Sequence, residues 1–135
     1  MSLPFEFVVP GPPVSQQARS RSRVRAWSGE VQRVAQGRWG ASTHAEGGVM
    51  VAITYFFHGN SLDVDNIPKP MLDALKGMVY VDDTQVTDLL CRKRAIGGEL
   101  RIEPASSLLL ETLDRGEQFL HVAVTDARSN GVTSW

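Results

Sequence analysis

Two prolines, Pro68 and Pro70, constrain the middle of the chain more than any other feature. A proline breaks a helix interior but fits the first turn, where N–H groups have no partner within the helix. The pair therefore predicts a helix that begins near Ile67, and Gly77 is a natural end for it. Its apolar side chains share one side and its charged side chains the other. The apolar residues are Met71, Leu72 and Leu75, and the charged residues are Lys69, Asp73 and Lys76.

Two pairs of aspartates flank this predicted helix. Asp63 and Asp65 precede it, and Asp82 and Asp83 follow it. Because Asp63 and Asp65 lie two positions apart, an extended segment would direct both side chains to one face, where they could share a cation. Mg²⁺ prefers such ligands and usually takes only one or two protein carboxylates, with waters and substrate phosphate in the remaining positions. The pattern predicts a magnesium site and a phosphate-containing substrate.

The two lysines of the helix differ in their expected roles. Lys69 lies one turn from Asp65 near the helix start, where a cation can neutralise charge on a phosphorane-like transition state. The helix N-terminus also favours anions there. In the alternative, Lys69, Asp73 and Lys76 only pair with one another on a surface helix. We favour pairing for Lys76 and the catalytic role for Lys69, because four acidic residues flank Lys69.

A longer motif contains these residues. It consists of Asp63, Asp65, Asn66, Lys69, Asp73-Ala74-Leu75 and Asp82-Asp83-Thr84-Gln85-Val86. This motif resembles the signature of the RusA family of Holliday-junction resolvases. That signature has Asp-x-Asp-Asn, a lysine three residues after the Asn, an Asp-Ala-Leu on the same helix, and then Asp-Asp-x-Gln-Val. The match is close in the centre of the chain, and the flanking segments resemble the family pattern only in outline.

The resemblance implies roles for the matched residues. In that family both aspartates of the first motif and the second aspartate of the Asp-Asp pair are catalytic metal ligands, and the lysine is essential. Carried over, Asp63, Asp65 and Asp83 bind Mg²⁺, for which Mn²⁺ could substitute, and Lys69 is the transition-state cation. The residues expected to support them are Asn66, Asp73, Asp82 and Gln85, and of these Asn66 and Gln85 could orient ligands or waters. Asp82 could instead form a turn, and Asn66 could belong to the helix start.

The resemblance also implies a homodimer that acts on a four-way DNA junction. One chain with one acidic site makes only one cut, so two coordinated cuts require two-fold symmetry. Residues 99–117 look longer than the family core requires, and they are acidic. They could pack on the dimer, bind a partner or be an insertion.

Composition agrees with a small intracellular protein. A chain of 135 residues fits one domain covering 1–135. Cys91 is the only cysteine, so an internal disulfide is excluded. No apolar run reaches membrane-spanning length and no signal-peptide pattern is present, which predicts a cytoplasmic location without membrane contact. The histidines share no ligand spacing and are interpreted as structural or surface residues: His44, His58, which lies nearest the acidic motif, and His121.

Charge is unevenly distributed. The formal net charge is −1, but arginines crowd the N-terminal third. Four arginines in alternate positions repel one another unless an anion compensates them, which favours nucleic acid. For any single arginine a solvated loop is the alternative. The candidate DNA-binding residues are Arg19, Arg21, Arg23 and Arg25, in a predicted loop, and Arg92, Lys93 and Arg94.

The remaining patterns predict an α+β domain with a small mixed sheet and packed helices. Strands are predicted at Phe5–Val9, Gly48–Phe57, Gln85–Ile96 and Gln118–Thr125. Helices besides the central one are predicted at Trp27–Gln36, with Ser28 as a cap, and at Leu108–Leu113. Residues 127–135 are predicted to be a flexible tail.

Three functions are compatible with these observations. The preferred one is a Mg²⁺-dependent endodeoxyribonuclease that resolves Holliday junctions or related branched DNA in recombination and repair. A non-catalytic branched-DNA-binding protein of the same fold is less favoured, because binding alone does not require carboxylates that repel phosphate. A metal-dependent nucleotide phosphohydrolase is disfavoured, because no Gly-rich phosphate loop is visible.

Overall fold

A mixed four-stranded sheet forms the centre of the fold in the computed structural model, which describes residues 3–15, 17–40, 43–59, 62–100 and 105–127. The strands are β1 (Phe5–Pro10), β2 (Val49–Phe57), β3 (Val86–Ala95) and β4 (Phe119–Asp126). The helices are α1 (Arg21–Trp39), α2 (Pro68–Leu75) and α3 (Ser107–Asp114). The sheet order is β1-β4-β2-β3, with β2 and β3 parallel and β4 antiparallel to both β1 and β2. The predicted α+β class and mixed sheet are confirmed.

One face of the sheet packs against α1 and α2. Alternate strand residues such as Phe7, Ile53 and Val122 are fully buried there. Met71 and Leu75 of α2 join the same core, as the predicted apolar stripe requires. Full burial of a side chain of this size contributes about 1.5–3 kcal/mol. Apolar burial therefore holds the helix that carries Lys69 against the sheet.

The opposite face of the sheet packs against α3. Leu109 of this helix contacts Phe56 and Phe119, whose rings stack with centroids 4.7 Å apart. Part of the 99–117 segment is thus a sheet-packing helix, while its residues 101–104 lie outside the described part of the chain.

The three histidines take part in hydrogen bonds within the fold. The rings of His44 and His58 donate to backbone carbonyl oxygens at 2.9 and 2.7 Å. His121 Nε2 donates to Glu6 Oε2 at 2.7 Å and links the neighbouring strands β1 and β4. Burial alone would raise the pKa of Glu6, but hydrogen bonds from His121 and Ser106 outweigh it, and the pKa is lowered. These contacts agree with the predicted structural roles.

α1 is longer than the sequence predicts. Its N-cap is Ser20, whose hydroxyl accepts a hydrogen bond from the Arg23 N–H, and not Ser28. The predicted helix at Trp27–Gln36 lies inside the observed one. The predicted loop is wrong for three arginines that lie in the first turns of the helix, Arg21, Arg23 and Arg25.

The start of α1 is hard to see in the sequence because arginine favours a helix without adding an apolar period. The buried side chains of this helix are sparse: Val24, Val31, Ala35 and Trp39. Ser28 instead donates its hydroxyl hydrogen to the Pro70 carbonyl oxygen at 2.8 Å. That bond ties the middle of α1 to the first turn of α2.

The other predicted strands and helices are confirmed with small shifts at their ends. In the described ranges, no helix is both long and apolar enough to cross a membrane. The tail predicted for 127–135 lies outside the described residues, apart from Ala127, whose N–H donates to the Gly48 carbonyl oxygen. Cys91 is half-buried in β3 as expected, and burial raises its pKa to about 11.

Candidate functional site

The start of α2 places Lys69 beside Asp73. As predicted, the helix begins after Ile67, with Pro68 at its first position. Lys69 Nζ donates to Asp73 Oδ1 at 2.7 Å, and both side chains are about half exposed. This hydrogen bond is the main cause of a raised pKa for Lys69, and the charge of Asp83 adds to the shift. The lysine is therefore protonated at neutral pH and oriented by a carboxylate.

Lys76 pairs with a residue beyond the helix. Its Nζ lies 3.3 Å from Asp82 Oδ1. The ion-pair role that we favoured for Lys76 is thus observed, with Asp82 as the partner in place of Asp73. Lys69 and Lys76 belong to two separate ion pairs, so one of them can be changed without removing the partner of the other.

Asp63 and Asp65 lie in a tight turn. Asp63 has an extended backbone with φ −63° and ψ 140°, but Asp65 belongs to a 3₁₀ turn, Val64–Asn66. The expectation of one extended segment that directs both carboxylates to one face is therefore wrong. The Asn66 N–H donates to the Asp63 carbonyl oxygen at 3.0 Å and closes the turn. Both carboxylates are exposed.

Asn66 does not cap α2. Ile67 is the N-cap residue, and it makes no side-chain cap hydrogen bond. The suggested helix-start role for Asn66 is therefore limited to the backbone bond that closes the preceding turn. The turn is held on β3 by Cys91, whose thiol lies 3.5 Å from a carbonyl oxygen of the turn.

Asp82 forms the turn that carries Asp83. It caps the 3₁₀ helix Asp83–Gln85, and its Oδ2 accepts from the Thr84 hydroxyl at 3.0 Å. That hydrogen bond and the one from Lys76 lower the pKa of Asp82. Of the two roles suggested by the sequence, the structure shows Asp82 as the turn former.

Gln85 holds this acidic turn against the segment before β2. Its Oε1 accepts from the N–H groups of Val81 and Asp82 at 2.8 and 3.3 Å. Its Nε2 donates to the carbonyl oxygens of Ala45 and Gly47 at 2.8 and 2.9 Å. A side-chain amide has two donors and two acceptor positions. All are used here, so the suggested role of Gln85 in orienting ligands or waters has no hydrogen-bonding position left.

Asp83 carries a buried carboxylate oxygen. Its Oδ1 accepts no hydrogen bond from any described residue. Leaving a buried polar atom without a partner is costly, and such atoms call for an explanation such as a bound ion. This oxygen is therefore a ready acceptor for a cation.

Tyr80 lies close to the candidate site, which the sequence did not reveal. Its buried hydroxyl donates to the Leu72 carbonyl oxygen at 2.9 Å. Burial, and then the charges of Asp83 and Asp73, raise the pKa of Tyr80, so the hydroxyl stays protonated. An aromatic residue between a helix end and an acidic pair looks like a core residue, and only its electrostatic proximity to both aspartates identifies it.

The three predicted metal ligands are not gathered into one cluster. Across the described ranges, no group of three or more His, Cys, Asp or Glu side chains lies close enough to hold a metal ion. Lys69 instead lies within electrostatic reach of Asp73 and Asp83. The donor chemistry fits a hard cation, because Asp63, Asp65 and Asp83 are carboxylates and Asp83 carries the oxygen without a partner.

The candidate DNA-binding residues fall on two surfaces. One comprises Arg19, just before α1, and Arg21, Arg23 and Arg25 in its first turns, all of them exposed. The first turn of α1 contains no acidic residue. Its arginines therefore lie at the positive end of the helix dipole, which is unfavourable without an anion.

The second surface is divided between the two faces of β3. Arg92 and Arg94 share one face, and Lys93 lies on the other. Arg92 Nε donates to Thr54 Oγ1 at 2.8 Å, and Lys93 Nζ donates to the Leu62 carbonyl oxygen at 2.9 Å. The three residues therefore do not form one basic patch.

Residues 10–103 match the family model described as endodeoxyribonuclease RusA. This match covers more than half of the chain and includes every site residue described above. The chain therefore belongs to the RusA family of Holliday-junction endodeoxyribonucleases. A separate comparison with curated proteins found no match.

Proposed function

We propose that this chain is a Mg²⁺-dependent endodeoxyribonuclease that cuts four-way DNA junctions or related branched DNA in recombination and repair. The observation that carries the proposal is the buried Asp83 Oδ1, which has no partner among the described residues and belongs to a carboxylate near the protonated Lys69. The family match gives this pair its substrate class. A protein that only binds DNA gains nothing from buried negative charge near a phosphate.

Each residue of the site has a distinct part in this proposal. Asp63, Asp65 and Asp83, which the structure does not gather into one cluster, would be drawn together as ligands of Mg²⁺ or Mn²⁺, and the bound ion would supply Lewis-acid stabilisation and a more acidic water. Lys69 provides a positive charge where the transition state gains negative charge. Asp73 positions that charge through the 2.7 Å hydrogen bond.

The proposed enzyme acts as a homodimer. One chain offers one set of candidate aspartates and one lysine at a helix start, and so one cutting site. Resolution of a four-way junction requires two opposed strands to be cut, and a two-fold dimer presents two equivalent sites to them.

Cleavage of matched substrates tests the proposal. We expect the protein to cut a four-way junction in Mg²⁺ or Mn²⁺, and to leave a linear duplex of the same sequence and a free nucleotide intact. Ca²⁺ should support binding with little cutting, because its looser coordination positions the attacking water poorly. Junction binding without cutting in Mg²⁺ and Mn²⁺ would favour a non-catalytic binding protein, and nucleotide hydrolysis would favour a phosphohydrolase.

Arg25→Gln is expected to weaken junction affinity and to reduce the slope of log K against log salt by about one unit, because one phosphate contact is lost. Arg33 of the same helix is the matched control, since Glu30 already pairs with it. Arg33→Gln should change the slope much less. Fluorescence anisotropy over a salt series measures both variants. If the slope for Arg25→Gln equals that of the unchanged chain, the basic residues of β3 become the leading DNA-binding candidates.

A further inference from the structure

A groove between α1 and α2 opens beside the candidate site. The two helices are joined next to it, because the Ser28 hydroxyl donates to the Pro70 carbonyl oxygen at 2.8 Å. Asp73 lines the same groove, and its Oδ1 accepts a hydrogen bond from Lys69 Nζ. The groove is therefore continuous with the lysine assigned to the reaction.

The groove combines an apolar lining with a few polar groups. Its apolar part is formed by buried side chains of both helices, Val24, Pro70 and Ala74. The Gln32 amide at its edge is exposed and makes no hydrogen bond with any described residue, so its donors and acceptor are available. Lys69 uses only Oδ1 of Asp73, which leaves Oδ2 open to another donor. Proteins bind an extruded nucleobase with this combination, apolar contact on its faces and hydrogen bonds to its edge.

The size of the groove suits one base. Its volume is about 290 Å³, close to the lower limit of small-ligand sites at roughly 300 Å³. Gly29 keeps the space open, since a Cβ at this position would meet no atom within 4 Å. The exposed Arg25 also lines the groove and can contact the phosphate of a nucleotide whose base has entered it.

A branch point is the place in DNA where a base can enter such a groove at low cost. Extruding a base requires its stacking and pairing to be lost, and the cost is least where these are already disturbed. Base pairs at the centre of a four-way junction border the point where strands exchange partners. A linear duplex offers no such position.

We propose that this groove holds one nucleobase that leaves the stack at the branch point, and that Gln32 and Asp73 contact the edge of that base. The proposal rests on the proposed function and deepens it, because it assigns the discrimination between branched and linear DNA to named residues of α1 and α2. The base enters next to the phosphate to be cut, since Asp73 belongs both to the groove and to the pair with Lys69.

Filling the groove tests the proposal. Gly29→Leu should weaken four-way junction binding about tenfold or more and leave binding to a linear duplex of the same sequence unchanged. Gly37→Leu is the matched control, because Gly37 lies on the same helix, has no atom within 4 Å of an added Cβ and does not line the groove. It should leave both affinities unchanged. Anisotropy titrations in Ca²⁺ measure binding, and melting should show both variants folded, since leucine favours a helix more than glycine does.

A fluorescent base locates the extruded nucleotide. 2-Aminopurine, whose fluorescence increases when it leaves the base stack, is placed in turn at each branch-point position. We expect a fluorescence increase at one position on binding of the unchanged chain or Gly37→Leu, and none with Gly29→Leu. When that nucleotide is replaced by an abasic site, Gly29→Leu should bind as tightly as the unchanged chain, because no base then requires the groove.

Exchange of the base at the located position tests Gln32. Gln32→Ala should reduce the differences in affinity among the four bases, whereas Gln36→Ala, an exposed glutamine of the same helix outside the groove, should preserve them. Equal junction binding by Gly29→Leu and the unchanged chain, an equal loss for linear DNA, or a loss that the abasic junction does not relieve would overturn the proposal. Cleavage enters none of these measurements, so a junction that is bound without being cut contradicts only the nuclease, and a junction bound equally by both glycine variants contradicts only the groove.

Discussion

Asp83→Asn is expected to slow cleavage of a four-way junction by about a thousandfold or more. Asp63→Asn and Asp65→Asn should have the same effect if the three carboxylates jointly hold Mg²⁺. Metal-assisted stabilisation of the transition state supplies several kcal/mol, and each ~1.4 kcal/mol corresponds to a tenfold change in rate. Single-turnover cleavage in Mg²⁺ and in Mn²⁺ measures the loss.

Junction binding should persist or improve in these variants, because less negative charge opposes the approach of phosphate. An anisotropy titration with the same junction separates this effect from the loss of rate. Asp114→Asn is the control, because it neutralises an exposed aspartate at the end of α3, away from the site. Full activity in any of the three ligand variants would remove that residue from the metal site.

Lys69→Ala is expected to lower the single-turnover rate by about a hundredfold or more, with only a modest loss of junction affinity. The effect should be on the rate because Asp73 already holds the ammonium group in place through a 2.7 Å hydrogen bond. The charge therefore stabilises the transition state without having to reorganise when the reaction occurs.

Lys76→Ala is the matched control, since it removes the same charge from the end of the same helix. Its ion pair with Asp82 is exposed, and exposed pairs contribute little. We expect cleavage and binding close to those of the unchanged chain. A loss as large as that of Lys69→Ala would mean that the charged side of the helix acts as one unit.

Elements with strong local signals are predictable from this sequence. Pro68 and Pro70 place the start of α2, and the apolar run in β2 identifies it as a strand. The first turns of α1 have no such signal, because they are built from serine and arginine and the helix is held by contacts with α2 and the sheet. A sequence pattern does not encode these tertiary contacts.

The members of the site are easier to predict than their arrangement. Two aspartates spaced two residues apart can occur in a strand or in a 3₁₀ turn. The spacing of Asp63 and Asp65 therefore does not distinguish between these two backbone conformations. The observed turn lies against β3, where the thiol of Cys91, which is distant in sequence, is 3.5 Å from the Val64 carbonyl oxygen. The buried oxygen of Asp83 and the electrostatic proximity of Tyr80 likewise arise from packing. The sequence motif identifies the residues of the site, and the tertiary fold determines the distances between them.

Because of the hydrogen bonds that the Gln85 amide makes, the residue at position 85 is a more selective criterion for recognising related sequences than the aspartates beside it. Glutamate lacks the two donors that bind the Ala45 and Gly47 carbonyl oxygens, and asparagine is one methylene shorter. A chain that reads Asp-Asp-x-Glu would keep every carboxylate of the motif and still lose the bonds that hold its acidic turn against the segment before β2. Relatives with the same site architecture are therefore better recognised by this amide than by the acids alone.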